Sequence, residues 1–229
     1  MKNILIISDG IPGHFNQSKG VASILSKTHP SNIHLTELSF KIHQLRGIIT
    51  VFSRILMRLP NKLTANLVSF MYSSIETNGI DLIIAAGGKT APYSAAIKVL
   101  NNIPVIQLGS PRGLHSSLFN ALVTVERYYE DSSNIIASIT PNLYSPEICS
   151  KAATKKNLSE HLLFLIGGEG IGYTYKDQEW TSLMASIRNL YNKTLLPITI
   201  VTSRRSDPKV ENILQEGLTG IPLQYSAWF

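Results

Sequence analysis

Short apolar runs recur along the chain, and each ends in a polar loop followed by residues of helical period. The first run, ILIIS (residues 4–8), is closed by Asp9-Gly10 and predicts a buried strand. A polar stretch through Asn16-Gln17-Ser18 then leads into GVASILSK, whose apolar spacing predicts a helix. HLTEL (34–38) alternates and predicts a second strand. DLIIAAGGKT (81–90) is the clearest strand-to-loop unit after the first. It runs into TAPYSAAIKVLN, a predicted helix with Pro92 in its first turn, where a missing N–H costs little. PVIQLGSPRG (104–113) predicts another buried strand with a glycine loop, and ALVTVER (121–127) and NIIASIT (134–140) predict two more. The long segment 41–77 is apolar and basic, and Pro60 divides it into two predicted helices.

Repetition of strand, loop and helix predicts an α/β fold with mostly parallel sheets and helices on their faces. Residues 1–142 form one Rossmann-like domain. The polar stretch 143–160, which includes Pro146 and KAATKKN, is the expected linker. Residues 161–229 restart the pattern with HLLFLIGGEGIG (161–172), a helix at 178–192, PITIVTSRRSD (197–207), the helical VENILQEGL and IPLQY (221–225). Three strands are few for a parallel sheet covered on both faces, so this second unit is expected to be incomplete.

Composition narrows the partners without choosing one. The chain has 229 residues, 44% hydrophobic and 16% charged, which marks a globular chain with a sizeable core. Its formal net charge of +6 favours anionic partners. A single cysteine, Cys149, forbids an intrachain disulfide and fits a reducing cytoplasm. The six histidines and Cys149 show no metal-ligand spacing, and no metal or cofactor is expected. Asp9 interrupts the first apolar run too early for a signal peptide.

Ligands of open α/β sheets sit beyond the carboxyl ends of the strands, so the loops there carry the candidate chemistry. The first spans Asp9, Gly10, Gly13, His14, Asn16 and Gln17. Its glycines permit positive φ and close ligand approach, and its polar groups lie near a helix N-terminus that attracts anions. Asp9 and Asn16 also fit plain turn and cap roles. His14 is the histidine placed at a strand tip among polar groups, and His14 or Asp9 is the candidate base. The second loop holds Gly87, Gly88, Lys89 and Thr90, suited to a phosphate or carboxylate, or else a tight turn capped by Thr90. The third holds Gln107, Gly109 and Arg112, with Arg112 either gripping an anion or paired with a carboxylate. In the second unit, Gly167 and Gly168 follow one strand, and Thr202, Ser203, Arg204 and Arg205 follow the next, as a candidate diphosphate site. The dinucleotide fingerprint G-x-G-x-x-G is missing from the first loop, which disfavours a nicotinamide oxidoreductase.

Segment 41–77 interleaves Lys41, Arg46, Arg54, Arg58 and Lys62 with Ile48, Val51, Phe52, Ile55 and Leu59. Such a helix can lie on an anionic membrane surface, or pack on the core with its arginines solvated. Phe52 is the one aromatic side chain between Lys41 and Lys62, too few for nucleic-acid stacking, so nucleic acid is not an expected partner.

Five motifs together resemble one family. SDGIPGHFNQSKG is similar to an opening signature of the form DGKPGHENQ-x-x-G. DLIIAAGGKTAPYSAAIK resembles a strand ending in AAGRRTAP, and PVIQLGSPR resembles VQLGDPR. FLIGGEG and VTSRR are similar to two later motifs. The family is that of the mitochondrial-fission proteins first named from a plant elongated-mitochondria mutant, which has many bacterial members. The sequence departs from it at Phe15, Gly88-Lys89 and Ser110. The resemblance implies a B-type glycosyltransferase fold of two Rossmann-like domains. It also implies a metal-independent glycosyltransferase of envelope sugars, cytoplasmic and peripheral on the inner membrane, with a nucleotide-sugar donor in an interdomain cleft. Donor phosphates would meet Gly167, Gly168, Ser203 and Arg204; the acceptor would meet the Asp9–Gln17 loop. A non-catalytic, membrane-docked adaptor is the alternative. Family members continue past Phe229 into a further strand–helix unit.

Overall fold

A computed structural model of the chain describes residues 1–154, 160–169, 172–203 and 205–226. Two compact units emerge, Met1–Cys149 and Ser150–Phe229. The division falls inside a helix, α5 (Pro146–Thr154), within the segment expected to link the two.

In the first unit, β1 (Lys2–Ser8) runs into α1 (Pro12–Thr28) and returns through β2 (Ser31–Glu37). Two helices follow, α2 (Arg46–Leu56) and α3 (Lys62–Met71), then β3 (Leu82–Ala86), α4 (Ala91–Asn101), β4 (Val105–Leu108), β5 (Ala121–Thr124) and β6 (Asn134–Ile136). All six strands are parallel, in the order β2-β1-β3-β4-β5-β6. The strand order reverses direction between β1 and β3, which makes their carboxyl ends the switch point where this fold class binds ligands.

β1 reads as a continuous apolar run because both its faces are covered. Ile4 and Ile6 pack with Ile84, Ala86 and Ala22 of α1, while Leu5 and Ile7 pack with Ile83, Ala85 and the α2–α4 layer. Ile6 and Ile7 are wholly buried, each worth about 1.5–3 kcal/mol relative to exposure. Asn61 caps α3 by accepting from Thr64 N–H while the Thr64 hydroxyl accepts from Asn61 N–H, so the division at Pro60 is sharp. An aromatic row, Phe40–Tyr72–Tyr93, with ring centroids 4.8 and 4.9 Å apart, ties the end of α3 to α4.

Several elements differ in extent from the sequence pattern. α1 begins at Pro12 rather than at Gly20, because Pro12 is pre-set for a first helical turn and nothing breaks the helix before His29-Pro30. β5 and β6 stop at Thr124 and Ile136, short of the predicted runs. After β6 the chain crosses α1 at Gly20, where a Cβ would lie 2.5 Å from the Asn142 carbonyl oxygen.

The second unit holds β7 (Leu162–Leu165), α6 (Asp177–Thr194), β8 (Ile198–Val201), α7 (Pro208–Gly217) and β9 (Leu223–Ser226), with a parallel sheet in the order β7-β8-β9. Ile198 and Ile200 of β8 meet Trp180 and Ile187 of α6 and Val210 and Leu214 of α7 in one core. Leu163 and Leu165 point the other way and are exposed.

Candidate functional site

At the switch point the loop after β1 turns at Gly10, whose φ is +78°, and Asp9 folds beneath it. Only 3% of the Asp9 side chain is exposed. Its carboxylate accepts from Ile11 N–H at 3.2 Å, and both oxygens lie 3.0 Å from Nδ1 of His14. A carboxylate of this kind can only accept, so Nδ1 carries the proton and Nε2 of a neutral His14 holds a lone pair. His14 stands in the first turn of α1, with 30% of its side chain exposed. An Asp that orients a His in this way leaves Nε2 able to take a proton from a hydroxyl placed against it.

The loop after β3 lies against this pair. Gly87 has φ +89°, and a Cβ there would collide with the His14 ring and come within 3.1 Å of an Asp9 oxygen. Gln107 and Thr90 support the loop from below, both wholly buried. The Gln107 amide donates to the carbonyls of Gly87 (3.1 Å) and Leu108 (3.2 Å). The Thr90 hydroxyl donates back to Ala86 or Gly87, 2.9 Å to each carbonyl, instead of capping α4. Lys89 is exposed at the tip.

The other residues of the first unit fall into place around these two loops. Gly13 is an ordinary helical residue without positive φ, and Asn16 and Gln17 sit on the second turn of α1 rather than in a loop. Gly109 takes φ +81° after β4 and opens onto free space. A pocket of about 330 Å³ adjoins the Asp9 turn, walled by Ser8, Gly10, Phe15 and Glu37.

Arg112 has a left-handed backbone, φ +55°, which is uncommon outside glycine. Its side chain lies across Gly88, where a Cβ would be 2.7 Å from its Nε. Arg54 comes to the same glycine from α2, donating to the Gly88 carbonyl at 2.9 Å. Arg58 reaches the neighbouring turn, within 3.4 Å of a Cβ placed on Gly113. The pattern of segment 41–77 leaves Arg54 either at a membrane surface or solvated; the structure turns it to the Gly88 loop. Helix α2 buries Ile49, Thr50 and Ser53 and exposes Ile48, Val51, Phe52 and Ile55, so its apolar stripe is on the outside. Sequence reasoning therefore missed Arg54 and Arg58 as loop partners. The amphipathic pattern of α2 marks Ile48, Val51, Phe52 and Ile55 as its apolar side, and the structure packs the opposite side, with Thr50 and Ser53, inward.

In the second unit, the loops after β7 and β8 are brought together. A Cβ at Gly168 would collide with the backbone of Arg205, and one at Gly167 would touch the Tyr175 hydroxyl at 3.4 Å. Ser203 closes a tight turn: its N–H donates to the Ser206 hydroxyl at 3.0 Å, and its own hydroxyl accepts from Arg205 N–H at 3.2 Å. Thr202 is buried and Arg205 is exposed. Arg204 lies outside the described residues. Among the described residues no cluster of three or more His, Cys, Asp or Glu could hold a metal ion. Within the same limits, no helix is long and apolar enough to cross a membrane.

The sequence matches the family model Mitochondrial fission ELM1 over residues 12–227. The chain belongs to the mitochondrial fission ELM1 family. Comparison with curated proteins returns no match to this family member. Among solved structures, UDP-GlcNAc 2-epimerase from Methanocaldococcus jannaschii is similar at a TM-score of 0.54 and 11% identity, over 100% of this chain and 74% of that one. The S. aureus MnaA–UDP co-structure is similar at 0.53 and 12%, over 100% and 69%. A putative UDP-N-acetylglucosamine 2-epimerase from Listeria monocytogenes is similar at 0.54 and 8%, over 100% and 70%. At such low identity these likenesses speak to the fold alone, and that fold is the B-type glycosyltransferase architecture. This ELM1-family chain thus has two parallel-sheet, Rossmann-like units, as its strand–loop–helix pattern predicts.

Proposed function

We propose that this chain is a glycosyltransferase-like protein that binds a nucleotide sugar and transfers the sugar to an acceptor hydroxyl at a membrane surface. The observation that carries the reading is the Asp9–His14 pair held under Gly87 at the switch point of the first sheet. In this reading the acceptor hydroxyl lies against Nε2 of His14. Its oxygen bonds to the anomeric carbon as the bond from that carbon to the nucleotide diphosphate breaks. The hydroxyl proton passes to His14, and the negative charge leaves with the diphosphate. Asp9 orients His14 and stabilises its cationic form. Gly10, Gly13, Asn16, Gln17 and Lys89 line the acceptor side, with Gln107 and Thr90 positioning the Gly87 loop. For the second unit we propose a diphosphate-binding loop pair of its own, the backbone N–H groups near Gly167 and Gly168 with Thr202, Ser203 and Arg205, whose donors and cation would carry the diphosphate charge without a metal. The likeness in fold to a UDP co-structure makes uridine nucleotides the first class to test.

Calorimetric titration of the protein with UDP, GDP and CMP sugars is expected to give binding to one class. His14→Gln is expected to leave that affinity within about twofold while lowering transfer about 10²–10⁴-fold. Absence of binding to every nucleotide sugar would remove the transferase reading.

A membrane position for this chain is supported by the outward stripe of α2 and α3. Ile48, Val51, Phe52 and Ile55 are exposed, as are Leu59, Leu63 and Phe70, the last at 72%. Lys41 lies over the Phe70 ring at 4.1 Å, and Arg46 and Lys62 are exposed at the helix starts. Apolar side chains rimmed by cations suit the boundary of an anionic bilayer. Sedimentation with phosphatidylcholine–phosphatidylglycerol vesicles is expected to carry the protein down, and Ile48→Glu with Ile55→Glu to keep it in the supernatant. Unchanged sedimentation of that double variant would refute docking through this face. Docking without any nucleotide-sugar binding would favour the adaptor role instead.

A further inference from the structure

We infer that Arg54 and Arg112 form an oxyanion site for a phosphoryl group, set beside the Asp9–His14 pair, with Arg58 at the neighbouring Gly113 turn. The inference builds on the acceptor side of the proposed reaction and names the class of acceptor: one that bears a phosphate or diphosphate.

Arg54 and Arg112 face the same glycine. Arg54 donates to the Gly88 carbonyl, and the Arg112 side chain lies across the Gly88 Cα. Two guanidinium groups so placed repel each other unless an anion lies between them. Burial pushes the Arg54 guanidinium below its ordinary value, and the charge of Arg112 pushes it the same way, only partly opposed by Tyr72. The ion pairs among the described residues are Lys2–Asp81, His14–Asp9 and Arg127–Glu130, so none of the three arginines has a carboxylate partner there. The Nε of Arg54 is buried and has no hydrogen-bond partner. A buried donor left unmade is costly, and a cationic one more so. A phosphoryl group supplies what is missing: several acceptor oxygens and a negative charge, matched to the planar donor fork of arginine.

The placement favours a reacting molecule over a bystander anion. Gly87 touches His14, and the next residue, Gly88, touches Arg54 and Arg112. A phosphate held at Gly88 therefore sets the rest of its molecule beside the base. Arg112 holds its left-handed backbone between Pro111 and Gly113, a strain of the sort that persists at ligand sites. Arg58 and Arg54 also belong to the segment whose other side carries the exposed apolar stripe, so the phosphate has two sources. It is either the headgroup of a lipid or part of a soluble molecule.

Titration of the protein with inorganic diphosphate, at ionic strength fixed by chloride, tests the site. Binding is expected, and Arg112→Met is expected to weaken it about tenfold or more. Arg127→Met removes the same charge elsewhere and is expected to change it less than about twofold. Arg112 is exposed, so its variant keeps the fold; a melting curve confirms this, and Arg58→Met provides a second variant on an exposed residue. Equal weakening by Arg112→Met and Arg127→Met, or no diphosphate binding at all, overturns the inference. The source is read from phosphatidylcholine vesicles containing either phosphatidic acid or phosphatidylglycerol. Preference for phosphatidic acid that Arg112→Met erases assigns a lipid phosphate. Arg112-dependent diphosphate binding with no such preference assigns a soluble one. If diphosphate binds through Arg112 while no nucleotide sugar binds, the anion site stands and the transferase reading falls.

Discussion

Gly87→Ala is expected to destabilise the first unit by about 2–5 kcal/mol, the largest effect foreseen for any single methyl group at the site. Two costs combine. The backbone holds φ +89°, a conformation that L residues rarely adopt, and the new Cβ would meet the His14 ring and the Asp9 carboxylate. The ring cannot yield easily, because both Asp9 oxygens hold it through Nδ1. Neighbouring glycines separate the two costs. Gly109 has φ +81° with open space around it, so Gly109→Ala is expected to show the backbone strain alone, about 1–2 kcal/mol. Gly88 lacks a positive φ and faces only the side chains of Arg112 and Arg54, which can shift. Melting curves of the three variants give the comparison, at about 2–4 °C per kcal/mol for a chain of this size. If Gly87→Ala melts with Gly109→Ala, the close approach of Gly87 to His14 is wrong.

Gly20→Ala is expected to cost about 3 kcal/mol or more, because the collision is with backbone rather than side chain. The added Cβ would lie 2.5, 2.7 and 2.9 Å from the carbonyl oxygen, carbonyl carbon and Cα of Asn142. Either α1 moves off the sheet or the strand exit after β6 moves off α1. Limited proteolysis is expected to open the variant between Ile136 and Pro146, with a lowered melting midpoint. Gly13→Ala on the same helix meets nothing within 4 Å and is expected to stabilise by about 0.5–1 kcal/mol. A Gly20→Ala protein as stable as the parent would show that the chain does not cross α1 there.

Much of this architecture is legible in the linear pattern. Buried parallel strands are short, apolar and followed by polar glycine turns, so β1, β3, β4, β7 and β8 announce themselves through Ile4–Ser8, Leu82–Ala86, Val105–Leu108, Leu162–Leu165 and Ile198–Val201. Pro60 separates α2 from α3 because proline removes a helical donor and crowds the preceding turn. The start of α1 is less legible. Asn16 and Gln17 suit loops as readily as helix surfaces, and only Pro12 in the first turn argues for the earlier start.

The residue content of each loop and the parallel class of both sheets follow from local chemistry, whereas of the two first-loop glycines read as free to take positive φ only Gly10 does so and Gly13 is helical. Which loops meet does not follow from local chemistry. Asp9 and His14 touch Gly87 because packing sets β3 directly beside β1, an arrangement chosen by crossovers between distant segments. Arg54 reaches Gly88 because α2 turns its Ser53 side, not its Phe52 side, toward α3 and α4. The apolar pattern of α2 favours burial of its Phe52 side, and the structure buries the smaller Thr50–Ser53 side instead, so periodicity alone does not give the inward face of this helix. Arg54 and Arg112, which define the anion site, are thus visible singly in the sequence, and meet at Gly88 only when that face is chosen.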